Sequence, residues 1–190
     1  MKNIELKISI NNFNKVIPLL KKIKARRINK LYQKDIYYHC KNGRLKIRTI
    51  NNKKFELIFY KRPDKLDKKI SNYQIFNIKP KQVNFIKSML DKKFGEQVIV
   101  EKKRELWIYN HTRIHIDKVL GLGNFLELET VIKNINIKKA EKEFGKVINL
   151  LNLKKDKKYS KSYSDLLLRD SKTNQTKLKK FTPFVLAKAI

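Results

Sequence analysis

The chain begins with a strict alternation of apolar and polar residues. Over residues 3–10, Ile4, Leu6 and Ile8 fall on one face, and the residues between them are polar. Successive side chains of a strand point to opposite faces, so this alternation predicts a β-strand with one apolar and one polar face. The apolar residues between about 14 and 24 recur at helical spacing instead, which predicts a short amphipathic helix after the strand.

The same two periodicities continue along the chain. Asn42-Gly43 and Asn51-Asn52 are turn signals between strand-like segments and predict antiparallel hairpins. Strands are predicted at 33–40, 44–48, 55–61, 71–78, 98–109, 113–119 and 125–132, and further helices at 81–94 and 138–153. These elements predict one α+β domain, in which about eight antiparallel strands close into a β-barrel with the helices packed outside.

The C-terminal segment differs in composition from the rest of the chain. Residues 171–180 are polar, and 181–190 are apolar but too few to span a bilayer. We therefore predict a barrel domain over residues 1–170 and a basic tail over 171–190 that is disordered or docks on a surface.

Cysteine usage and the N-terminal sequence bear on the cellular compartment. Cys40 is the single cysteine, which excludes an intrachain disulfide and a thiolate zinc cluster. The first residues lead directly into a strand pattern, and no apolar run reaches the roughly 18 residues of a membrane span. We expect a soluble, cytoplasmic protein with no membrane partner.

The chain is strongly basic, with 47 Lys and Arg against 17 Asp and Glu and a formal net charge of +30. A surface of this charge attracts polyanions such as nucleic acid or polyphosphate. Lysine far outnumbers arginine, however, and this usage is also typical of an AT-rich genome that biases neutral surface positions. Arginine is the preferred cation for bidentate phosphate contacts, so the charge alone does not favour nucleic acid as the partner.

Ionisable residues share one face on each of five predicted strands. Sorted by strand parity, the groups are Glu5 with Lys7; Arg44 with Lys46 and Arg48; Lys102 with Arg104; Arg113 with His115 and Asp117; and Glu127 with Glu129. On a single strand, a solvent-exposed face is the ordinary explanation of this pattern. If the apolar faces pack outward against the helices, the charged faces instead converge inside the barrel.

A lumen that carries both signs of charge suits a phosphate chain bridged by a metal. Cations neutralise the phosphates, and carboxylates such as Glu127 and Glu129 hold the Mg²⁺ or Mn²⁺ that bridges them. The sorted positions contain more cations than carboxylates. We therefore expect like-charge repulsion to strain the lumen when no ligand fills it.

Several segments resemble, in the same order, those of the CYTH superfamily, the triphosphate tunnel metalloenzymes. The opening Asn3-Ile4-Glu5-Leu6-Lys7 is similar to the Glu-x-Glu-x-Lys signature of that superfamily, with Asn3 in the place of the first Glu. The further matching segments are 33–37, 43–48, 56–64, 100–104, 113–117, 121–129 and 162–167. They cover about residues 3 to 168, and the class IV adenylate cyclase-like branch is the most similar.

The resemblance implies a triphosphate tunnel and a set of site residues. It implies that the triphosphate is bound by Lys7, Arg48, Lys61, Lys102 and Arg104. It implies that the metal, Mg²⁺ or Mn²⁺, is bound by Glu5, Glu127 and Glu129, with Asp117 beside them. Strand parity adds Arg44 and Lys46 to the phosphate-binding set, and the candidate catalytic residues are Lys7, Arg104 and Asp117.

Two positions depart from the family pattern. Asn3 offers a neutral amide oxygen, which is a poorer ligand for a hard cation than a carboxylate. Lys61 lies on the strand face of Phe55, Leu57 and Phe59, so it reaches the lumen only if the strand contains a bulge or if that face points inward. The assignment of Lys61 therefore rests on the motif and not on periodicity.

The resemblance implies chemistry on a triphosphate. Members of the class IV branch convert ATP to cyclic AMP and pyrophosphate, and other relatives hydrolyse inorganic tripolyphosphate, thiamine triphosphate or RNA 5′-triphosphate ends. We expect a metal-dependent, adenylate cyclase-like enzyme whose partner is a small-molecule triphosphate, with a triphosphate hydrolase as the alternative. A non-catalytic binder of polyphosphate or RNA is the further alternative. The oligomeric state is open, a dimer included.

Overall fold

The computed structural model describes residues 2–61, 69–153 and 157–170. Within these ranges the chain forms an antiparallel sheet of nine strands, accompanied by helices. The strands are β1 (Lys2–Ser9), β2 (Arg26–Tyr38), β3 (Arg44–Ile50), β4 (Lys54–Lys61), β5 (Lys69–Ile78), β6 (Glu96–Tyr109), β7 (Thr112–Val119), β8 (Gly123–Val131) and β9 (Lys158–Tyr159). The helices are α1 (Val16–Lys22), α2 (Val83–Phe94), α3 (Ile137–Leu150) and α4 (163–170). The predicted α+β class is confirmed.

The strand order is β5-β4-β3-β2-β6-β7-β8-β1-β9, and β1 pairs with β5 as well as with β8 and β9. The register of the additional pair places Glu5 opposite Lys69 and Asn3 opposite Ser71. The eight longer strands correspond to those predicted from periodicity. The ninth strand, β9, was not predicted, because two residues are too few to show a period.

The predicted hairpin turns have the backbone conformations that their sequences favour. Asn51 and Asn52 both adopt positive φ, of 50° and 55°, as the two central residues of a type I′ turn require, and the Lys53 amide donates to the Ile50 carbonyl at 3.0 Å. Gly43 has a φ of +132°, and a Cβ added there would lie 2.9 Å from the Phe59 ring. Glycine at position 43 therefore allows the β2–β3 hairpin to pass close to β4.

Apolar patches on the outer face of the sheet lie under the helices, as the parity analysis predicts. One core joins α1 and α3 to β1, β6, β7 and β8, and its members include Leu20, Phe144, Ile4, Ile114 and Leu128. A second core packs Leu90 of α2 on the outward side chains of β2 and β3. Because apolar residues take the outer face, the alternating charged residues of the same strands point inward.

Element ends differ from the predicted ones at a few places. β2 begins at Arg26 rather than near 33, because its exposed N-terminal part pairs with β6 and carries no apolar alternation. The α3 helix begins after Asn136, whose side chain accepts a hydrogen bond of 2.9 Å from the Lys139 amide, an N-cap that fixes this end.

The predicted tail, 171–190, lies outside the described residues. Among the helices that the structure describes, none is long and apolar enough to cross a membrane.

Candidate functional site

The inward faces of β1 to β8 enclose a central cavity of about 600 Å³. Each of these eight strands contributes lining side chains, and Ser162 and Tyr163 from the C-terminal segment complete the wall. The ionisable side chains that line the cavity are Glu5, Lys7, Asp35, Lys46, Arg48, Lys54, Glu56, Lys102, Arg104, Arg113, His115, Glu127 and Glu129. The predicted convergence of the charged strand faces is therefore observed.

Arg104 of β6 is the centre of the first charge cluster. Its Nε and Nη2 donate to the two oxygens of Asp117 at 2.7 and 2.6 Å, and Nη2 also donates to Glu127 at 2.5 Å. Glu127 in turn accepts from Lys7 Nζ at 2.5 Å. Burial raises the pKa of Asp117, but Arg104 and Lys102 outweigh burial and hold that pKa well below its ordinary value. Both carboxylates are therefore charged at neutral pH.

Asp35 of β2 is the centre of the second cluster. It accepts from Lys46 Nζ at 2.6 Å, from Arg48 Nε and Nη2 at 2.9 and 3.0 Å, and from the Gln33 amide at 3.1 Å. Asp35 is 2% exposed. Burial alone would raise the pKa of Asp35, but Arg48 and Lys46 lower it far below the ordinary value. The Asp35 carboxylate therefore fixes two cations that face the cavity.

A third group of side chains contains two carboxylates that lie opposite each other in the register of adjacent strands. Glu5 and Glu129 are directly opposite on β1 and β8. Glu5 accepts a hydrogen bond of 2.5 Å from the Tyr73 hydroxyl, and His115 Nε2 lies 3.3 Å from Glu129. Burial raises the pKa of Glu129, but His115 outweighs it and lowers the pKa to about 2. Two carboxylates therefore lie opposite each other on adjacent strands.

The donors around Glu5 fit a hard divalent cation in their chemistry. Glu5, Glu127 and Glu129 offer carboxylate oxygens, and Asn3 Oδ1 is buried with no hydrogen-bond partner. This unpartnered oxygen is available as a ligand, since Mg²⁺ and Mn²⁺ prefer oxygen ligands. Within the described residues, no three His, Cys, Asp or Glu side chains are already grouped tightly enough to hold a metal. Glu127 is instead paired with Arg104, and Glu129 lies 3.9 Å from Arg113 Nη1.

The C-terminal segment contributes Tyr163 to one end of the cavity. Its hydroxyl donates to Asp117 at 3.0 Å, and Lys7 Nζ lies 4.2 Å from the centre of its ring. The α4 helix is held by a Ser-x-x-Asp capping box, in which Ser162 and Asp165 exchange hydrogen bonds. Arg44 pairs with the same Asp165 at 2.7 Å. Arg44 therefore anchors α4.

The structure does not bring Arg44 and Lys61 into the central cavity. Both line a separate pocket of about 430 Å³, which Tyr37, Asn42 and Asp165 also line. The inward residues of β4 are Glu56, Ile58 and Tyr60, and its register with β3 contains no bulge. Lys61 consequently lies on the opposite face, as its parity indicated, and its phosphate-binding role stays a prediction from the motif.

The observed ion pairs limit the repulsion that was expected among the cations of the cavity. Arg104 and Lys7 are paired with Asp117 and Glu127, and Lys46 and Arg48 are paired with Asp35. The sequence reasoning counted no carboxylate on β2 or β4, where Asp35 and Glu56 line the cavity. Most of these cations are therefore neutralised locally, and repulsion between like charges persists at Lys102, whose pKa burial and the charge of Arg104 lower.

Sequence reasoning missed several lining residues that a parity signal could have found. Gln33, Asp35 and Tyr37 alternate on β2, and Glu56 and Tyr60 alternate on β4. The parity signal is weak on both strands, because amide or aromatic residues lie beside the charged ones on the same face. No sequence pattern indicated a role for Tyr73, because its hydrogen bond to Glu5 depends on the pairing of β1 with β5.

Lys102 is the buried cation whose charge depends on pH near neutrality. Burial, and after it the charge of Arg104, lower the pKa of Lys102 to about 8. The ammonium is thus charged below about pH 8 and neutral above it, so we expect affinity for tripolyphosphate to fall as pH rises through about 8. Calorimetric titrations across this range should show the fall in the wild type. Lys102→Arg stays charged and should abolish it, and a fall of equal size in that variant would contradict the assignment.

Comparisons with known proteins place this architecture in a family. Residues 1–163 match the CYTH domain, and the chain belongs to that family. A Methanocaldococcus jannaschii protein provisionally named an adenylate cyclase is 33% identical over 175 residues, which cover 87% of this chain and 98% of that protein.

Two solved structures have the same fold. The PH1012 protein of Pyrococcus horikoshii aligns with a TM-score of 0.74 at 24% identity, over 86% of this chain and 98% of that chain. A Hippeastrum protein aligns with a TM-score of 0.64 at 11% identity, over 89% of this chain and 96% of that chain. It is described as a provisional adenylyl cyclase with a dominant triphosphatase activity. At these identities the likeness concerns the fold.

Proposed function

We propose that the pairing of β1 with β5 closes the sheet into a barrel and that the central cavity is a triphosphate tunnel. Two features support this closure. Strands β1 to β8 form a continuous ring of pairings. Side chains from all eight strands line one cavity of about 600 Å³.

Within this tunnel we propose metal-dependent conversion of ATP to cyclic AMP and pyrophosphate. The observation that carries the proposal is that one cavity holds two groups of buried cations together with the carboxylates Glu5, Glu127 and Glu129. Cations alone would suit any polyanion, whereas cations with oxygen ligands suit a phosphate chain that carries a metal. The name of the Methanocaldococcus jannaschii relative supports a cyclase.

The buried cations bind and orient the phosphates in this proposal. Lys102 and Arg104 lie on β6, and Lys46 and Arg48 lie on β3, each held by a carboxylate behind it. Such fixed donors stabilise the charge that develops on phosphate oxygens without reorganising during the reaction. Asp35 and Asp117 are therefore positioning residues that hold the cations in place.

Glu5, Glu127 and Glu129, with the Asn3 amide oxygen, are the residues that would hold Mg²⁺ or Mn²⁺. A bound divalent cation supplies neutralisation of phosphate charge at this wall of the tunnel. Glu127 accepts from Lys7 and Arg104. Phosphate oxygens can replace Glu127 as the partners of these two cations, which leaves the Glu127 oxygens available as metal ligands.

The reaction is a displacement at one of two phosphorus atoms. In the cyclase, the oxygen of the ribose 3′-hydroxyl attacks the α-phosphorus and its proton is released to water, the bond from that phosphorus to the α–β bridging oxygen breaks, and pyrophosphate leaves. In the hydrolase, water attacks the γ-phosphorus and the bond from that phosphorus to the β–γ bridging oxygen breaks. The diphosphate is then the leaving group, and the γ-phosphoryl group is released as inorganic phosphate. The triphosphatase activity described for the Hippeastrum neighbour is the specific reason to keep hydrolysis as the second candidate. The same cations serve both reactions.

A substrate panel tests the proposal. ATP, tripolyphosphate and thiamine triphosphate are each incubated with Mg²⁺ or Mn²⁺, and cyclic AMP, pyrophosphate and phosphate are measured separately. We expect equimolar cyclic AMP and pyrophosphate from ATP, lost on chelation of the metal and strongly reduced in Glu129→Gln. Glu105→Gln removes a carboxylate that pairs outside the cavity with Arg27 and is the matched control.

Other outcomes of the panel assign the remaining functions. Phosphate without cyclic AMP would assign the hydrolase. No product from any substrate with either metal would refute the enzyme and leave a non-catalytic polyanion binder.

The cytoplasmic location stays a prediction from the sequence.

A further inference from the structure

His115 of β7 is a buried side chain of the cavity wall to which the proposed function gives no role. Its side chain is 7% exposed and lines the central cavity. Both ring nitrogens are buried, and neither has a hydrogen-bond partner within the described part of the chain. Buried polar atoms of native proteins almost always have a partner, so two unpartnered nitrogens on one ring need a physical reason.

Two of the carboxylates proposed to hold the metal are neighbours of His115. Glu127 lies directly opposite His115 in the register of β7 and β8. His115 Nε2 lies 3.3 Å from Glu129 Oε2, without the alignment of a hydrogen bond. Two atoms at adjacent corners of an octahedron, each about 2.1 Å from the central ion, are about 3 Å apart. Nε2 and Oε2 therefore lie at nearly the spacing of two ligands of one cation.

The ordinary alternative for His115 is a hydrogen bond that orients Glu129 from outside the coordination sphere. Groups behind the ligands of a metal site commonly have this role. It requires an N–H aligned on the carboxylate, and the residues that the structure describes show no such bond from either nitrogen. A neutral imidazole carries a lone pair on one nitrogen, which is the group that a metal binds. The contacts of His115 thus favour direct ligation.

We propose that His115 Nε2 is a metal ligand beside Glu129, so that the metal site of the cavity combines one nitrogen with carboxylate oxygens. This inference rests on the proposed function, because the site is the one that Glu5, Glu127 and Glu129 form. Mg²⁺ takes oxygen ligands and gives up its waters reluctantly, whereas a site with mixed nitrogen and oxygen ligands binds first-row transition metals with affinity that rises from Mn²⁺ to Co²⁺. The site therefore binds Mn²⁺ and Co²⁺ in preference to Mg²⁺.

Pulsed electron paramagnetic resonance of bound Mn²⁺ tests the nitrogen ligand directly. Untagged wild type, His115→Gln and His111→Gln are each measured with Mn²⁺ alone and with Mn²⁺ plus tripolyphosphate, which contains no nitrogen. His111→Gln is the matched control, because the His111 side chain is 46% exposed and lies 3.0 Å from Glu143, which does not line the cavity. Melting curves without metal confirm that each variant is folded.

We expect the spin echo of Mn²⁺ to be modulated by a directly bound ¹⁴N nucleus in the wild type and in His111→Gln, and this modulation to be lost in His115→Gln. Calorimetry with Mg²⁺, Mn²⁺ and Co²⁺ measures the consequence for selectivity. His115→Gln should bind Mn²⁺ and Co²⁺ at least about tenfold more weakly and Mg²⁺ within about twofold of the wild type. His111→Gln should bind all three metals as the wild type does.

The failure of this inference differs from that of the proposed function. If Mn²⁺ binds the wild type without ¹⁴N modulation, His115 is not a ligand, and the proposal is wrong while the metal site stands. Equal losses of Mg²⁺ and Mn²⁺ affinity in His115→Gln would contradict the selectivity that a nitrogen ligand provides. If the wild type binds none of the three metals, with or without tripolyphosphate, both this proposal and the metal-dependent function fall.

Discussion

Arg104→Ala should lower the melting temperature by on the order of 10 °C and should reduce triphosphate turnover by at least about a hundredfold. Arg104 is 7% exposed and donates to both oxygens of Asp117 and to Glu127. Its removal leaves two buried carboxylates without their guanidinium. Breaking a buried ion pair in this way costs about 3–5 kcal/mol. Each kcal/mol corresponds to roughly 2–4 °C in a domain of this size.

The matched control for Arg104→Ala is Lys103→Ala on the same strand. Lys103 is the adjacent residue, points to the exposed outer face and carries the same charge. We expect Lys103→Ala to melt within about 1 °C of the wild type and to keep its turnover, because exposed charges contribute little to stability. Melting curves and turnover assays of both variants make the comparison. Equal effects in the two variants would show that net charge, and not the Arg104–Asp117 pair, controls stability and activity.

Asp35→Asn is expected to destabilise the empty protein by about 3–5 kcal/mol and to increase the stabilisation that tripolyphosphate provides. The substitution keeps the size of the side chain but removes the charge that neutralises Lys46 and Arg48. The two cations then repel each other in a buried wall, and a bound anion replaces the missing negative charge. The ligand-induced rise in melting temperature should therefore exceed that of the wild type.

The ligand-induced rise in melting temperature should be smaller in Arg104→Ala than in the wild type, because that variant removes a cation. Asp35→Asn and Arg104→Ala should therefore change the rise in opposite directions. Melting curves of the wild type, Asp35→Asn and Arg104→Ala with and without tripolyphosphate measure both effects. An unchanged rise in Asp35→Asn would show that Lys46 and Arg48 do not contact the ligand.

The sequence predicted the strands and the charged wall because alternation is strongest where one face packs under a helix. On β1 and β8, the apolar outer residues and the charged inner residues both keep a period of two, so Glu5, Lys7, Glu127 and Glu129 could be placed on one face. On β4, parity placed Lys61 outside the cavity while the motif placed it inside. The structure follows the parity.

The contacts of the site could not be predicted, because they depend on distances between strands far apart in sequence. The alternation around Asp35 does not indicate its partner, because only the β2–β3 register brings Asp35 beside Arg48. Tyr163 donates to Asp117 across 46 residues of sequence, because the start of α4 lines the cavity. The balance of charges in the cavity differs from the predicted one, because Asp35 on β2 and Glu56 on β4 also line the cavity and offset part of the positive charge.

We expect the buried cations of the central cavity to bind the triphosphate. The most direct test of this expectation is the rise in melting temperature caused by tripolyphosphate with Mg²⁺ near pH 7 in the wild type, Lys102→Ala and Lys103→Ala. The two variants lose the same charge at adjacent residues, one 5% exposed in the cavity and the other on the outer face.

At a hundredfold excess over the dissociation constant, the ligand contributes about 2.7 kcal/mol, which corresponds to roughly 5–10 °C. We predict this rise in the wild type and in Lys103→Ala, and a rise of less than half that size in Lys102→Ala. Equal rises in all three proteins would mean that tripolyphosphate binds the general basic surface, and would contradict the assignment of the tunnel as its site.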